Sequence, residues 1–326
     1  MSLARTLLAS TILAGTAGVP LNASAQDAPL NVVSTIGMIA DVASNVGGEC
    51  VDSIALMGPG VDPHLYQATA RDVQTFQDAE LILYSGYSLE GQLGDVLERF
   101  SERTPTVAIS PASIPPADLI SVEDIYGIDP HLWMDVSLWA KIAPTIAGQI
   151  AELRPDCADT VAANTDAYVS QLEALDGWVE ESIVSIPEEQ RILVTAHDAF
   201  NYYGRAYGIE VAGIQGISTE SEAGIADIRE MAETVSARNV PAVFIESTIN
   251  PRTIQAVIDA AAEAGHRIEI GGELYSDAMG EAGTAGGTYV GMIYENTLHI
   301  TEALGGTPAP LPEALAAWAR EWGVAE

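Results

Sequence analysis

Two heptapeptides in the first half of the chain are nearly the same: Gly60-Val61-Asp62-Pro63-His64-Leu65-Tyr66 and Gly127-Ile128-Asp129-Pro130-His131-Leu132-Trp133. A neutral imidazole is a good ligand for a divalent transition metal, and a histidine repeated in one setting suggests two ligands to one ion. In each copy Asp fits a helix N-cap and Pro the first helical position, which would set the histidine in the first turn. There the positive end of the helix dipole disfavours imidazolium and keeps the ring ready to coordinate. Either copy alone reads more readily as a helix start with a hydrogen-bonded histidine; the repetition shifts the reading towards ligands.

A third histidine, His197 in Thr195-Ala196-His197-Asp198-Ala199-Phe200, follows a β-branched run over 191–195. In open α/β sheets, ligands bind at the carboxyl ends of strands. Asp277, in Tyr275-Ser276-Asp277-Ala278-Met279, lies beyond a run that reads as a strand over 267–270, and by itself it reads as an ordinary loop or cap aspartate. His266 has the setting of a solvent-facing residue after a helix and His299 that of a mid-helix residue, so neither is assigned to a site.

The elements that must carry these residues alternate. Strand signals over 31–36, 51–56, 80–84 and 106–109 are separated by helical ones over 39–46, 69–78 and 91–100, the rhythm of parallel βαβ units. The second half repeats it, with strands over 191–195, 210–214, 242–245 and 267–270. Its helices are expected over 199–207, 225–238, 253–264 and 288–304. Between the halves, from about 135 to 185, there is no strand signal, and Pro144 and Pro155 are the main interruptions. Val161, Tyr168, Leu172, Leu175, Val179 and Ile183 recur at helical spacing, with Thr165 on the same face. One helix of about 25 residues would span nearly 40 Å, a stiff strut between two α/β lobes.

A length of 326 residues favours more than one core. The formal net charge of −33, from 46 acidic and 13 basic side chains with Lys141 the sole lysine, makes nucleic acid an unfavourable partner. Residues 1–25 have the pattern of a secretory signal: Arg5, an apolar stretch from Leu7 to Leu21, and Ala23-Ser24-Ala25 as a small-x-small cleavage site. The stretch is too short and too interrupted to span a membrane, and no cysteine follows it to carry a lipid. Cleavage after Ala25 would leave a free periplasmic protein. Cys50 and Cys157 would then meet an oxidising compartment, where they can pair or lie as small buried hydrophobes; the sequence leaves both open.

These motifs together resemble the periplasmic metal-binding proteins of zinc, manganese and iron ABC importers, the cluster A-I or TroA-like family. The likeness runs through Met38-Ile39-Ala40-Asp41, Met57-Gly58-Pro59-Gly60, both DPHL segments, TAHDAF with Tyr203, Phe244-Ile245-Glu246-Ser247 and Tyr275 to Met279. It implies an α/β fold of two lobes, with parallel-type sheets flanked by helices, joined by one long rigid helix. It also implies a single ion held by His64, His131, His197 and Asp277, captured for an ABC permease of the inner membrane. The divisions expected are a signal (1–25), a first lobe (26–155), a linking helix (156–185) and a second lobe (186–326), in a protein that is a monomer and not an enzyme. The cargo is expected to be Mn2+ or Zn2+. The stretch 109–129 lacks the histidine-rich loop common in zinc-dedicated members, a slight lean to manganese. Two other functions compete: a secreted zinc metalloenzyme using the same histidines, and a binding protein that clamps an organic solute in the same interlobe cleft with Tyr202, Tyr203 and Arg205. The first lacks an H-E-x-x-H motif, although Asp198 and Glu246 could act as bases or orient His rings. The second leaves the paired DPHL motifs unexplained.

Overall fold

The computed structural model describes residues 28–122 and 127–324; the signal sequence expected over 1–25, with its cleavage site, lies outside them. The first lobe opens with β1 (Leu30–Ile36), α1 (Gly37–Gly47), β2 (Val51–Met57), α2 (Ala70–Asp78) and β3 (Leu81–Tyr84). It continues through α3 (Gly94–Ser101), β4 (Thr106–Ala108) and a short α4 (Ile109–Ser113). Its strands form one parallel sheet in the order β2-β1-β3-β4, with Val33 opposite both Ile54 and Ile82. The central strand β1 is buried along nearly its whole length, Ser34 and Thr35 included, whereas edge strand β2 alternates between covered and exposed residues. At the start of α2 the Thr69 and Asp72 side chains cap each other's backbone N–H groups.

Two helices, α5 (Val136–Trp139) and α6 (Ile142–Leu153), lead into α7 (Ala158–Val184), 27 residues long. Pro144 falls in the first turn of α6 and Pro155 in a single 3-10 turn ahead of α7, places where a missing N–H costs little. The face of α7 expected from its spacing is the buried one. A disulfide joins Cys50, just before β2, to Cys157 at the N-cap of α7.

The second lobe runs β5 (Ile192–His197), α8 (Asn201–Tyr207), β6 (Glu210–Gln215), α9 (Ile225–Ala237), β7 (Ala242–Glu246) and α10 (Arg252–Glu263). Then come β8 (Glu269–Leu274), α11 (Tyr289–Ala303) and α12 (Ala316–Trp322). The pairs β5-β6 and β7-β8 are parallel, and β5 lies beside β7. The last strand starts two residues later than expected and continues four further, through Gly271-Gly272, a pair that reads as a break in sequence. The glycines are needed for packing. A Cβ on Gly271 would lie 2.7 Å from that of Ala303, and one on Gly272, whose φ is +152°, would meet the His299 ring at 2.9 Å. They let α11 close onto the strand.

Two cores result. The larger fills the first lobe, covers the buried face of α7 and continues into the second lobe through Phe200, Phe244, Tyr289 and Ile300. A smaller one lies wholly in the second lobe, where Ile192, Val194 and Val243 pack against Met231, Val235, Ile254 and Val257 of α9 and α10.

Candidate metal centre

The two DPHL segments fold alike, but as turns and not as helix starts. Asp62 Oδ1 accepts the backbone N–H of His64 at 2.9 Å, and Asp129 Oδ1 that of His131 at 3.0 Å. The first copy then continues in an irregular segment until α2 begins at Ala70, while the second is followed by one 3-10 turn, Leu132–Met134. The expectation that both histidines occupy the first turn of an α-helix is therefore corrected. An Asp-Pro pair suits an aspartate turn as well as an N-cap, and here the side chain closes over the amide two residues on. The helix-dipole argument for neutral rings falls with it.

His197 is the last residue of β5, opposite Gln215 of β6, and Asp277 lies in the loop three residues past the end of β8. All four side chains are buried, and one donor atom from each lies within 4.8 Å of every other. His131 Nε2 is 3.3 Å from His64 Nε2 and 3.3 Å from Asp277 Oδ1. Asp277 Oδ2 is 3.2 Å from His197 Nε2 and 3.7 Å from His64 Nε2. Ligands about 2.0–2.1 Å from a tetrahedral ion are roughly 3.3–3.4 Å apart, and three of these four distances are close to that, the His64–Asp277 one being wider. Among the described residues, His197 Nε2 and both Asp277 oxygens are sealed from solvent without a hydrogen-bond partner. Such atoms are costly unless something polar sits between them.

A family model described as "Zinc-uptake complex component A periplasmic", ZnuA, matches residues 32–303. The chain belongs to the ZnuA family. Among relatives of this ZnuA-family chain, the manganese-binding lipoprotein MntA of Bacillus subtilis is 42% identical over 302 residues, 93% of this chain and 98% of that protein. The zinc-binding protein TroA of Treponema pallidum is 46% identical over 283 residues, 87% and 91% of the two chains. In structure, the periplasmic zinc-binding TroA of T. pallidum superposes with a TM-score of 0.82 over 85% of this chain and 99% of its own. Fe(III)-bound YtgA of Chlamydia trachomatis, 29% identical, does so with 0.78 over 86% and 100%.

In this ZnuA-family chain, carboxylates also stand behind the imidazoles. Glu246, at the end of β7, accepts the His197 backbone N–H at 2.9 Å with Oε1, and its Oε2 lies 2.5 Å from the ring Nδ1. Asp129 Oδ1 lies 2.8 Å from His131 Nδ1, so one carboxylate fixes both the backbone and the ring of that residue. This second duty of Asp129 was not read from the sequence, although an aspartate two residues before a histidine is its only available signal. Asp198, expected beside Glu246 as an orienting group, instead accepts the Gly213 N–H. Trp133 Nε1–H donates to the Ser276 carbonyl, tying the second DPHL segment to the Asp277 loop. The residues of the organic-solute reading are used elsewhere. The Tyr202 hydroxyl binds the Asp129 carbonyl, Tyr203 pairs with Thr297, and Arg205 lies over the Tyr202 ring. His266 and His299 reach the backbone carbonyls of Val240 and Glu273.

The electrostatics depart from three neutral rings. Burial pushes His64 down to about 3, with the neighbouring His131 and His197 adding to it against the pull of Asp277. Burial also opposes a charge on His131, but Asp129 and then Asp277 outweigh it and raise the ring to about 9. The same contest at His197 is won by Glu246 and Asp277, which lift it well above the ordinary histidine value. Burial works against the Asp277 anion, yet His197 and His131 hold its carboxyl well below the usual carboxylate range. The two carboxylate-backed rings, His131 and His197, thus favour the protonated form, and a cation binding there would displace those protons.

Proposed function

We propose that this chain captures one divalent transition-metal ion, Mn2+ or Zn2+, between its lobes through His64, His131, His197 and Asp277, and delivers it to an ABC permease of the inner membrane. The observation that carries this reading is the convergence of four buried side chains, one donor atom from each within 4.8 Å of every other, with His197 Nε2 and both Asp277 oxygens sealed from solvent. The donors come from both lobes, so capture and lobe closure are coupled. Membership of the family and the kinship with MntA and TroA support the transport role and the choice of metals. Asp277 offers both of its oxygens, one towards His131 and one towards His64 and His197. Five donors exceed the usual four of a closed zinc site, which favours manganese as cargo.

The chain works as a binding protein and not as an enzyme, because Asp277 fills the position that a hydrolytic zinc site leaves open. It is proposed to act as a periplasmic monomer released after Ala25, with lobes over 26–155 and 186–326 joined by 156–185. Its surface charge discourages nucleic acid, and no helix of the described residues is long and apolar enough to cross a membrane. Elemental analysis and calorimetric titration of the purified chain should give about one ion per chain, as a single two-lobed site requires. His64→Ala with His131→Ala should abolish binding; unchanged stoichiometry in that double variant would sink the ligand assignment. Competition of zinc against manganese in the same titration ranks the metals.

A further inference from the structure

Each DPHL aspartate spends its second oxygen on the other lobe. Asp129 Oδ2 accepts from Asn201 Nδ2 at 3.1 Å, and Asp62 Oδ2 accepts from the Thr219 hydroxyl at 2.6 Å. Both bonds are part-buried, but the two aspartates differ in setting. Asp129 is fully buried, holds the His131 ring with its other oxygen and has its carbonyl bound by Tyr202. Asp62 is only partly buried and borders a cavity of about 330 Å³. Its partner Thr219 is a buried side chain on the irregular segment 216–224 between β6 and α9. Three residues lining that cavity stand one step from a candidate ligand. Asp62 holds the His64 amide, Gln215 is the register partner of His197, and Thr248 bonds Ser276 next to Asp277.

We infer that this cavity is the vestibule through which the ion enters and leaves, and that the Asp62–Thr219 hydrogen bond is its latch. The inference rests on the metal-site reading above. When the bond breaks, segment 216–224 is freed from the first lobe and the turn that presents His64 loses its tie to the second. His64 then becomes the first ligand to yield. Asp129–Asn201, whose aspartate is buried and braced by the His131 ring and Tyr202, stays shut and acts as the fixed side of the closure. Asp62 and Thr219 are positioning residues: neither contributes a donor atom to the ion.

The test is a chelator chase of Zn2+ or Mn2+ from the loaded full chain, comparing wild type, Thr219→Val and Thr219→Ser. The valine keeps the shape and removes the donor, and the serine restores it. A hydrogen bond to a charged group is worth enough for Thr219→Val to release the ion roughly tenfold or more faster. Stoichiometry should stay unchanged, and Thr219→Ser should remain near wild type. Equal release rates in wild type and Thr219→Val, or a serine variant as fast as the valine one, would overturn the latch while leaving the ligand set intact. A wild-type chain that retains no ion would overturn the metal site, and the latch with it.

Discussion

At the scale of single residues, the candidate centre is a group of imidazoles whose protonation is set by what stands behind them. His131 and His197 face carboxylates on both sides, and before an ion arrives those carboxylates hold protons on the rings. Metal and proton therefore compete for the same nitrogens. Below the His131 value of about 9, each fall in pH strengthens the proton's hold, so affinity should decrease as pH drops and rise as pH climbs. Calorimetry in buffers of different ionisation enthalpy should show about two protons released per ion near neutral pH; release of none would mean the rings are neutral before binding. Glu246→Gln removes the charge behind His197 while keeping its size. Loss of an orienting carboxylate behind a ligand typically costs 10–100-fold in affinity, and a titration of this variant should fall in about that range. The three candidate ligand histidines are legible because their motifs repeat or end a strand. Asp277 was not legible from its own surroundings, since an aspartate after a strand has many uses; only the family likeness singled it out.

Among the elements, most strands and helices lie within a residue or two of where the sequence puts them, because the β-branched runs of β1 and β5 and the helical spacing of apolar residues on α7 are strong local signals. The misreadings share a cause. Gly271-Gly272 looks like a break and instead lets α11 approach β8, a contact made in three dimensions. Asp-Pro looks like a helix start and is a turn, because the residues after the pair, and not the pair itself, decide whether a helix propagates. The short α4 and α12 carry too little periodicity to stand out. The disulfide, left open by the sequence, anchors the start of α7 to the first lobe across a separation of 107 residues. Closing so long a loop should stabilise the native chain by about 2–4 kcal/mol. Cys50→Ser with Cys157→Ser should lower the melting temperature measured by calorimetry, while the metal stoichiometry holds; an unchanged melting temperature would show that the crosslink constrains little.

Over the whole molecule, the negative charge sets the general potential and discourages polyanions, but the proposed site rests on four residues and on two lobes brought face to face. A ligand that binds only the folded chain adds stability, about 2.7 kcal/mol at a hundredfold excess over Kd. Saturating metal should therefore raise the melting temperature by several degrees in a chain of this size, and His64→Ala with His131→Ala should erase the gain. A shift that survives in the double variant would point to binding elsewhere on the acidic surface.

The division into two cores gives the molecule two levels of opening. The larger core joins the first lobe, α7 and part of the second lobe, while the smaller core packs α9 and α10 against the other face of β5 and β7. His197 and Glu246 end those two strands, which serve both cores: Leu193 and Phe244 pack in the larger one, Ile192, Val194 and Val243 in the smaller. Native-state hydrogen exchange on metal-free protein should find amides of 225–263 opening at lower free energy than those of α1 and α7. Cargo should slow exchange mainly at the ends of β5 and β7, so that the ion acts as a removable brace where the two cores share their strands.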